Sequence, residues 1–173
     1  MFLKSLRLQN LLSFGPDSDA IPLGPLNVII GPNGSGKSNL IAAIGLLAST
    51  PSSLSEAIRE GGGVSEWLWK GSKEKKVAHI EAVVLDVDGL SSLRYQLAFT
   101  QNYHRFELID ERLEEATFKP ENEPTLYYGY VDGLPHIRTI RGEFRSISKK
   151  DFKSTESILS QRRDSDSDRK SVV

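Results

Sequence analysis

Between Val28 and Ile44 the chain reads VIIGPNGSGKSNLIAAI, and its centre, Gly31-Pro32-Asn33-Gly34-Ser35-Gly36-Lys37-Ser38, fits the pattern G-x-x-x-x-G-K-[ST]. The chemistry that this spacing serves is phosphate binding. Glycines let the backbone curl so that consecutive N–H groups, helped by the positive end of a following helix, point at phosphate oxygens. A side chain at Gly34 or Gly36 would obstruct that curl. Lys37 is expected to reach the β- and γ-phosphates as a point charge, and the Ser38 hydroxyl to coordinate the Mg²⁺ that bridges them. The bland alternative is a glycine turn that merely joins a strand to a helix. The full pattern in its setting, an apolar run before it and a helical pattern after it, points instead to a nucleotide with Mg²⁺.

The elements that must position this loop follow from hydrophobic periodicity. FLKSLRLQNLLSF alternates apolar Phe2, Leu6 and Leu8 with polar neighbours, as a half-buried strand does, and GPDSDA then turns the chain. LNVII, residues 26–30, is a short unbroken apolar run of the kind found in a strand covered on both faces. Beyond the loop, Leu40, Ile41, Ile44 and Leu47 recur at helical spacing, with Ala42 and Ala43 permitting close approach to a sheet. That helix should stop before STPSS, a second is expected at LSEAIRE, and GGG at 61–63 ends it. From Val77 to about Ile140 the texture changes to strands: VAHIEAVVLDV, LRYQLAFTQN, RFELIDERL, TLYYGYVDG and PHIRTI. Their brief connections predict antiparallel pairing, since a parallel crossover needs a dozen or more residues. The fold class is therefore α/β: an N-terminal strand pair, a strand-loop-helix phosphate site and an antiparallel β meander. SQRRDSDSDRKSVV is polar, of mixed charge and without an apolar face, and is expected to be poorly ordered.

Composition sets outer limits. A chain of 173 residues fits one ordinary domain. The 22 Lys plus Arg stand against 23 Asp plus Glu, a formal net charge of -1, so no general pull toward nucleic acid or an anionic membrane follows. Zero cysteines exclude disulfides and thiolate metal sites and suit a reducing compartment. No apolar run approaches the ~20 residues of a membrane span. These features predict a soluble, cytoplasmic protein without a membrane partner.

Taken together, LQNLLSFG and LNVIIGPNGSGKSNLIAAI resemble the head domain of SMC, RecF and related ABC-type ATPases, in which two short N-terminal strands precede a G-P-N-G-S-G-K-S-N loop. Asn39 after Ser38 favours this branch, because transporter ATPases more often read G-K-S-T there. GGGVSEWLWKGSKEKKVAHIEAVV and ESILSQRRD resemble prokaryotic RecF-like, AAA-type ATPases linked to DNA repair or phage defence. The resemblance implies an ATP-binding lobe over residues 1–160, followed by a polar tail or truncated continuation at 161–173. It implies that Gly31 to Asn39 bind ATP and Mg²⁺, with Lys37 catalytic. It implies that Gln161 touches Mg²⁺ or the attacking water, and that Ser13 and Phe14 lie near the adenine or ribose. Its partners would be a second lobe or head, dimerising on ATP, and DNA.

Hydrolysis of this type also needs a carboxylate at the end of a buried strand, and usually a neighbouring glutamate. The nearest imitation is Asp86 after EAVVL, but Val87 follows it and Asp88-Gly89 marks a turn. A family signature rich in serine and glycine is absent. The chain is therefore expected to bind ATP with little turnover by itself. Two other readings stand beside this one. A complete small-molecule kinase would need a parallel sheet and phosphate-facing arginines, for which Arg162 and Arg163 are the nominees. An interaction module would use SEWLWKGSKEKK, where aromatics adjoin Lys70, Lys73, Lys75 and Lys76; Trp67 and Trp69 alternate, so at most one is expected to point inward. His79, His104 and His136 show no metal-site spacing.

Overall fold

The structure, a computed structural model, describes residues 2–71, 76–85, 91–116, 124–139, 141–147 and 153–161. Strand β1 (Phe2–Gln9) leads to the short β2 (Ile21–Pro22) and then to three helices, α1 (Lys37–Ser49), α2 (Leu54–Glu60) and α3 (Val64–Trp67). Six strands follow: β3 (Val77–Leu85), β4 (Ser92–Asn102), β5 (Arg105–Glu115), β6 (Leu126–Val131), β7 (Leu134–Arg138) and β8 (Phe144–Ser146). A one-turn helix, α4 (Ile158–Gln161), comes last among the described residues. The eight strands make one sheet in the order β2-β1-β3-β4-β5-β6-β7-β8, antiparallel at every junction. The meander read from the alternating patterns is present, with β1 inserted between β2 and β3.

One sheet face and the helices share the core. Leu6, Leu8, Ile80, Leu97 and Phe99 meet Leu40, Ala43 and Leu46 of α1, Leu54 and Ile58 of α2, and Trp67, all buried. The opposite face is polar, as a one-sided antiparallel sheet permits. There Arg7, Glu81, Gln96 and Arg112 stand in register across β1, β3, β4 and β5. The Gln96 amide donates to the Glu81 carboxylate at 2.9 Å, and Arg94 pairs with Glu114 at 3.0 Å.

Helix ends obey local chemistry. The Ser49 and Thr50 hydroxyls bond back to the Leu46 and Leu47 carbonyls at 2.7 and 2.8 Å, and Pro51 follows, so α1 stops where expected. The GGG stretch ends α2: Gly61, Gly62 and Gly63 donate to Ala57, Arg59 and Ile58. It also launches α3, which the sequence reading did not foresee.

Two expectations need correction. Residues 26–30 form no strand, and Leu26, Val28, Ile29 and Ile30 are 86, 82, 41 and 86 % exposed. A strand apolar on both faces needs neighbours on its edges and a layer over each face; no described strand of this antiparallel sheet pairs with the run. Ile41 is also outside, 62 % exposed, because the buried stripe of α1 runs through Leu40, Ala43 and Leu46. Helix α1 is thus apolar on a second side that the described sheet does not cover.

Candidate functional site

The phosphate loop is a tight curl at the start of α1. Ser35 N–H donates to the Pro32 carbonyl at 3.3 Å, and Gly34 and Gly36 have φ of +82° and +90°. Only glycine enters that region without strain. Gly36 is the N-cap of α1 and offers no side chain to the helix end; the first helical bond runs from Leu40 N–H to its carbonyl at 2.9 Å. The amides of Lys37, Ser38 and Asn39 therefore precede the helical ladder, as the first turn of any helix dictates. They are donors seeking an acceptor at the positive end of a 13-residue helix.

Lys37 is folded over this curl. Its Nζ donates to the carbonyls of Gly31 and Pro32, both at 2.7 Å, and lies 3.4 Å from Ser35 Oγ. An ammonium has three donors and no acceptor, so it holds the loop shut and carries its charge at the loop mouth. The tail of β1 reaches the same place. A Cβ added to Gly36 would stand 2.9 Å from Ser13 Oγ and 3.9 Å from Phe14 Cζ, so both residues press on the loop. They are held there by a small turn, in which Leu11 and Phe14 exchange backbone bonds at 3.1 and 2.8 Å, and by Leu12 N–H donating to the Trp67 carbonyl at 2.7 Å.

These residues fit a nucleotide's phosphates: free helix-start amides, a close backbone that a Cβ would block, one lysine and the exposed Ser38 hydroxyl. A magnesium ion here would rest on Ser38 together with phosphate and water oxygens. Among the described residues no cluster of three His, Cys, Asp or Glu could hold a metal ion. Asp86, Arg162, Arg163, Lys73 and Lys75 lie outside the described residues, as does the polar tail.

Gln161 is engaged elsewhere. Its Oε1 accepts from Lys153 N–H at 2.7 Å, and its Nε2 donates to the carbonyls of Lys153 and Glu156, both at 2.9 Å. Leu159, two residues earlier, lines an apolar groove of about 310 Å³ with Leu47 and Ala48, near the C-terminal end of α1. The aromatic and basic loop also divides. Trp67 is buried, its Nε1 donating to the Ile58 carbonyl at 3.2 Å, while Trp69 is half-buried with the Lys76 ammonium 5.4 Å from its ring centre. Lys70 is paired with Glu66 at 2.7 Å and Lys76 donates to the Trp69 carbonyl. The three histidines lie apart on different strands and turns: His79 borders a polar groove with Glu81 and Asp110, His104 sits in the β4–β5 turn, and His136 bonds to the Leu134 carbonyl at 2.9 Å.

The sequence reading missed Glu111. This carboxylate is fully buried on the core side of β5. Oε1 accepts from Tyr95 Oη at 3.0 Å and Ser157 Oγ at 2.6 Å, and Oε2 accepts from Ile158 N–H at 2.7 Å. Burial raises its pKa to about 7, against the opposing pull of the hydrogen bonds from Ser157, Ile158 and Tyr95. Tyr95 and Tyr128 are raised well above the usual phenol value, first by burial and then by the Glu111 charge. A bulge where β4 Ala98 and Phe99 meet β5 changes the phase of the strand, so that Leu108 and Glu111 both face inward while Ile109 is exposed.

Over 88 residues, 51 % of its length, this chain is 35 % identical to the chromosome partition protein Smc of Halothermothrix orenii. That stretch spans only 7 % of the relative's length. A solved structure, from work on ATP-driven dimerisation and DNA-stimulated activation of SMC ATPases, overlays with a TM-score of 0.43 at 21 % identity, covering 61 % of this chain and 72 % of that one. The family model described as "AAA domain, putative AbiEii toxin, Type IV TA system" matches residues 26–170, from the apolar run through the meander. With most of its length under that model and a phosphate loop at the start of α1, the chain belongs to this AAA-type ATPase family and is distantly related to the SMC ATPases.

Proposed function

We propose that this chain is the amino-terminal, Mg²⁺-dependent ATP-binding lobe of an SMC/RecF-like ATPase, and that hydrolysis is completed by a second lobe or a partner head. The observation that carries the reading is the curl of Gly31 to Ser38, with its helix-start amides and the Lys37 ammonium on one side of a single loop. In this reading the amides and Lys37 bind the β- and γ-phosphates, Ser38 orients Mg²⁺, and Ser13 and Phe14 border the nucleoside. Gln161 turns toward Mg²⁺ or the attacking water after leaving its own segment. Bound Mg²⁺ supplies charge neutralisation between the phosphates.

The exposed run Leu26 to Ile30 supports the need for a second lobe. Leu26, Val28, Ile29 and Ile30 are exposed apolar side chains, and their position is immediately before the loop. A strand supplied alongside it would bury those side chains and satisfy its backbone. Residues 1–160 then constitute the lobe, and the polar residues 161–173 follow it as a tail or a continuation. DNA is the macromolecular partner of the complete assembly, in DNA repair or phage defence. The kinase reading loses its support, since the described sheet is antiparallel throughout. The expected result is Mg²⁺-dependent ATP binding by the purified chain without phosphate release above background, measured by a coupled phosphate assay. Substantial turnover by the chain alone would contradict the division of labour.

A further inference from the structure

Residues 153–161 return to the sheet after β8 and touch three separate parts of the molecule. Ser154 accepts from Leu108 N–H of β5 at 3.0 Å. Ser157 and Ile158, 0 and 2 % exposed, give their hydroxyl and N–H to the two oxygens of Glu111. Glu156, immediately before them, faces the other way: Oε2 accepts from Leu54 N–H at 3.1 Å and Oε1 from the Ser55 hydroxyl. Leu54 and Ser55 open α2, whose own N-cap residue, Ser53, makes no side-chain capping bond. A borrowed carboxylate thus caps the helix that follows the phosphate-loop helix, suiting its positive end.

We propose that Glu111 is a positioning residue: by gripping Ser157 and Ile158 it sets Glu156 on the start of α2 and keeps Gln161 folded against Lys153, so that one short segment couples the meander to the helices behind the phosphate loop. A buried carboxylate that takes two of its three donors from a segment holds it more firmly than apolar contact alone, because releasing the segment leaves the buried carboxyl with Tyr95 as its one remaining donor. The coupling is mechanical and requires no nucleotide. Its meaning for Mg²⁺ contact by Gln161 rests on the function proposed above, whereas its test does not.

The test is amide exchange by NMR on the full chain without nucleotide, in the wild type and in Glu111→Leu, Glu111→Gln and Glu156→Gln. Glu111→Leu conserves volume and removes the acceptors. It is expected to speed exchange at Ile158 and also at Leu54, which Glu111 does not touch, by roughly tenfold or more, while Leu46 in α1 keeps its protection. The Gln161 side-chain amide signal should move to the free position. Glu111→Gln retains an acceptor for Ile158 and should rescue most of the protection at both sites. Glu156→Gln should free Leu54 and leave Ile158 protected. Ser157→Ala serves if Glu111→Leu does not fold, with a smaller change of the same pattern. Faster exchange at Ile158 with unchanged Leu54, or full protection at both sites in Glu111→Leu, would overturn the proposal.

Discussion

Two side chains define the chemistry at the residue scale. Lys37 spends its ammonium on the carbonyls of Gly31 and Pro32, an arrangement that keeps a positive charge at the mouth of the curl. Charged hydrogen bonds contribute about 1.5–3 kcal/mol, so Lys37→Ala should weaken Mg-ATP binding roughly 10- to 100-fold, measured by competition with a fluorescent nucleotide. Folding shifts the pKa of Glu111 in the opposite direction from that of most structural carboxylates. Its folded pKa of about 7 lies above the ordinary glutamate value of 4.5, so the folded chain holds the proton more tightly than the unfolded chain. That contribution is complete below pH 4.5 and is lost as pH rises through 7, amounting to about 3 kcal/mol for a shift of this size. The groups facing it are the phenols of Tyr95, Tyr128 and Tyr130 and the hydroxyl of Ser157, none of which titrates in that window. Urea denaturation at pH 5 and pH 8 should therefore show a steeper loss of stability in the wild type than in Glu111→Gln, which removes the titration.

At the scale of elements, the meander was legible because its strands obey a period of two and its turns use recognisable residues. Asp132-Gly133 turns the β6–β7 hairpin with φ of +51° and +70°, as the VDGLP signal implied. The β4–β5 hairpin was not announced in this way, since Tyr103 and His104 occupy the same left-handed positions, at +46° and +66°, without a glycine. His104→Gly should relieve that strain and raise stability by about 0.5–1 kcal/mol, read from the urea midpoint. The Glu111 site was hidden for a related reason. In RFELIDERL a strict alternation starting from Leu108 puts Asp110 inside, and only the bulge, a feature of pairing with β4, turns Glu111 inward instead. The run at 26–30 misled in the opposite sense, because its composition describes a strand whose neighbours are not among the described strands. Composition reports the environment a segment is built for, and that environment can include another polypeptide. The curl at the start of α1 was legible, since its glycines act through local backbone geometry.

Among the described residues, an antiparallel sheet and the helices α1 to α4 share one core, with exposed apolar side chains gathered just before the phosphate loop and on the outer side of α1. No helix among the described residues is long and apolar enough to cross a membrane. The lobe proposed here would present bound nucleotide to a second body, and that proposal turns on whether the curl around Lys37 binds phosphate. The most direct measurement is isothermal calorimetry of the folded full chain with ATP, with and without Mg²⁺. A saturable heat of one nucleotide per chain that strengthens with Mg²⁺ is the predicted result; a well-folded sample giving no heat with any nucleoside triphosphate and magnesium would contradict it.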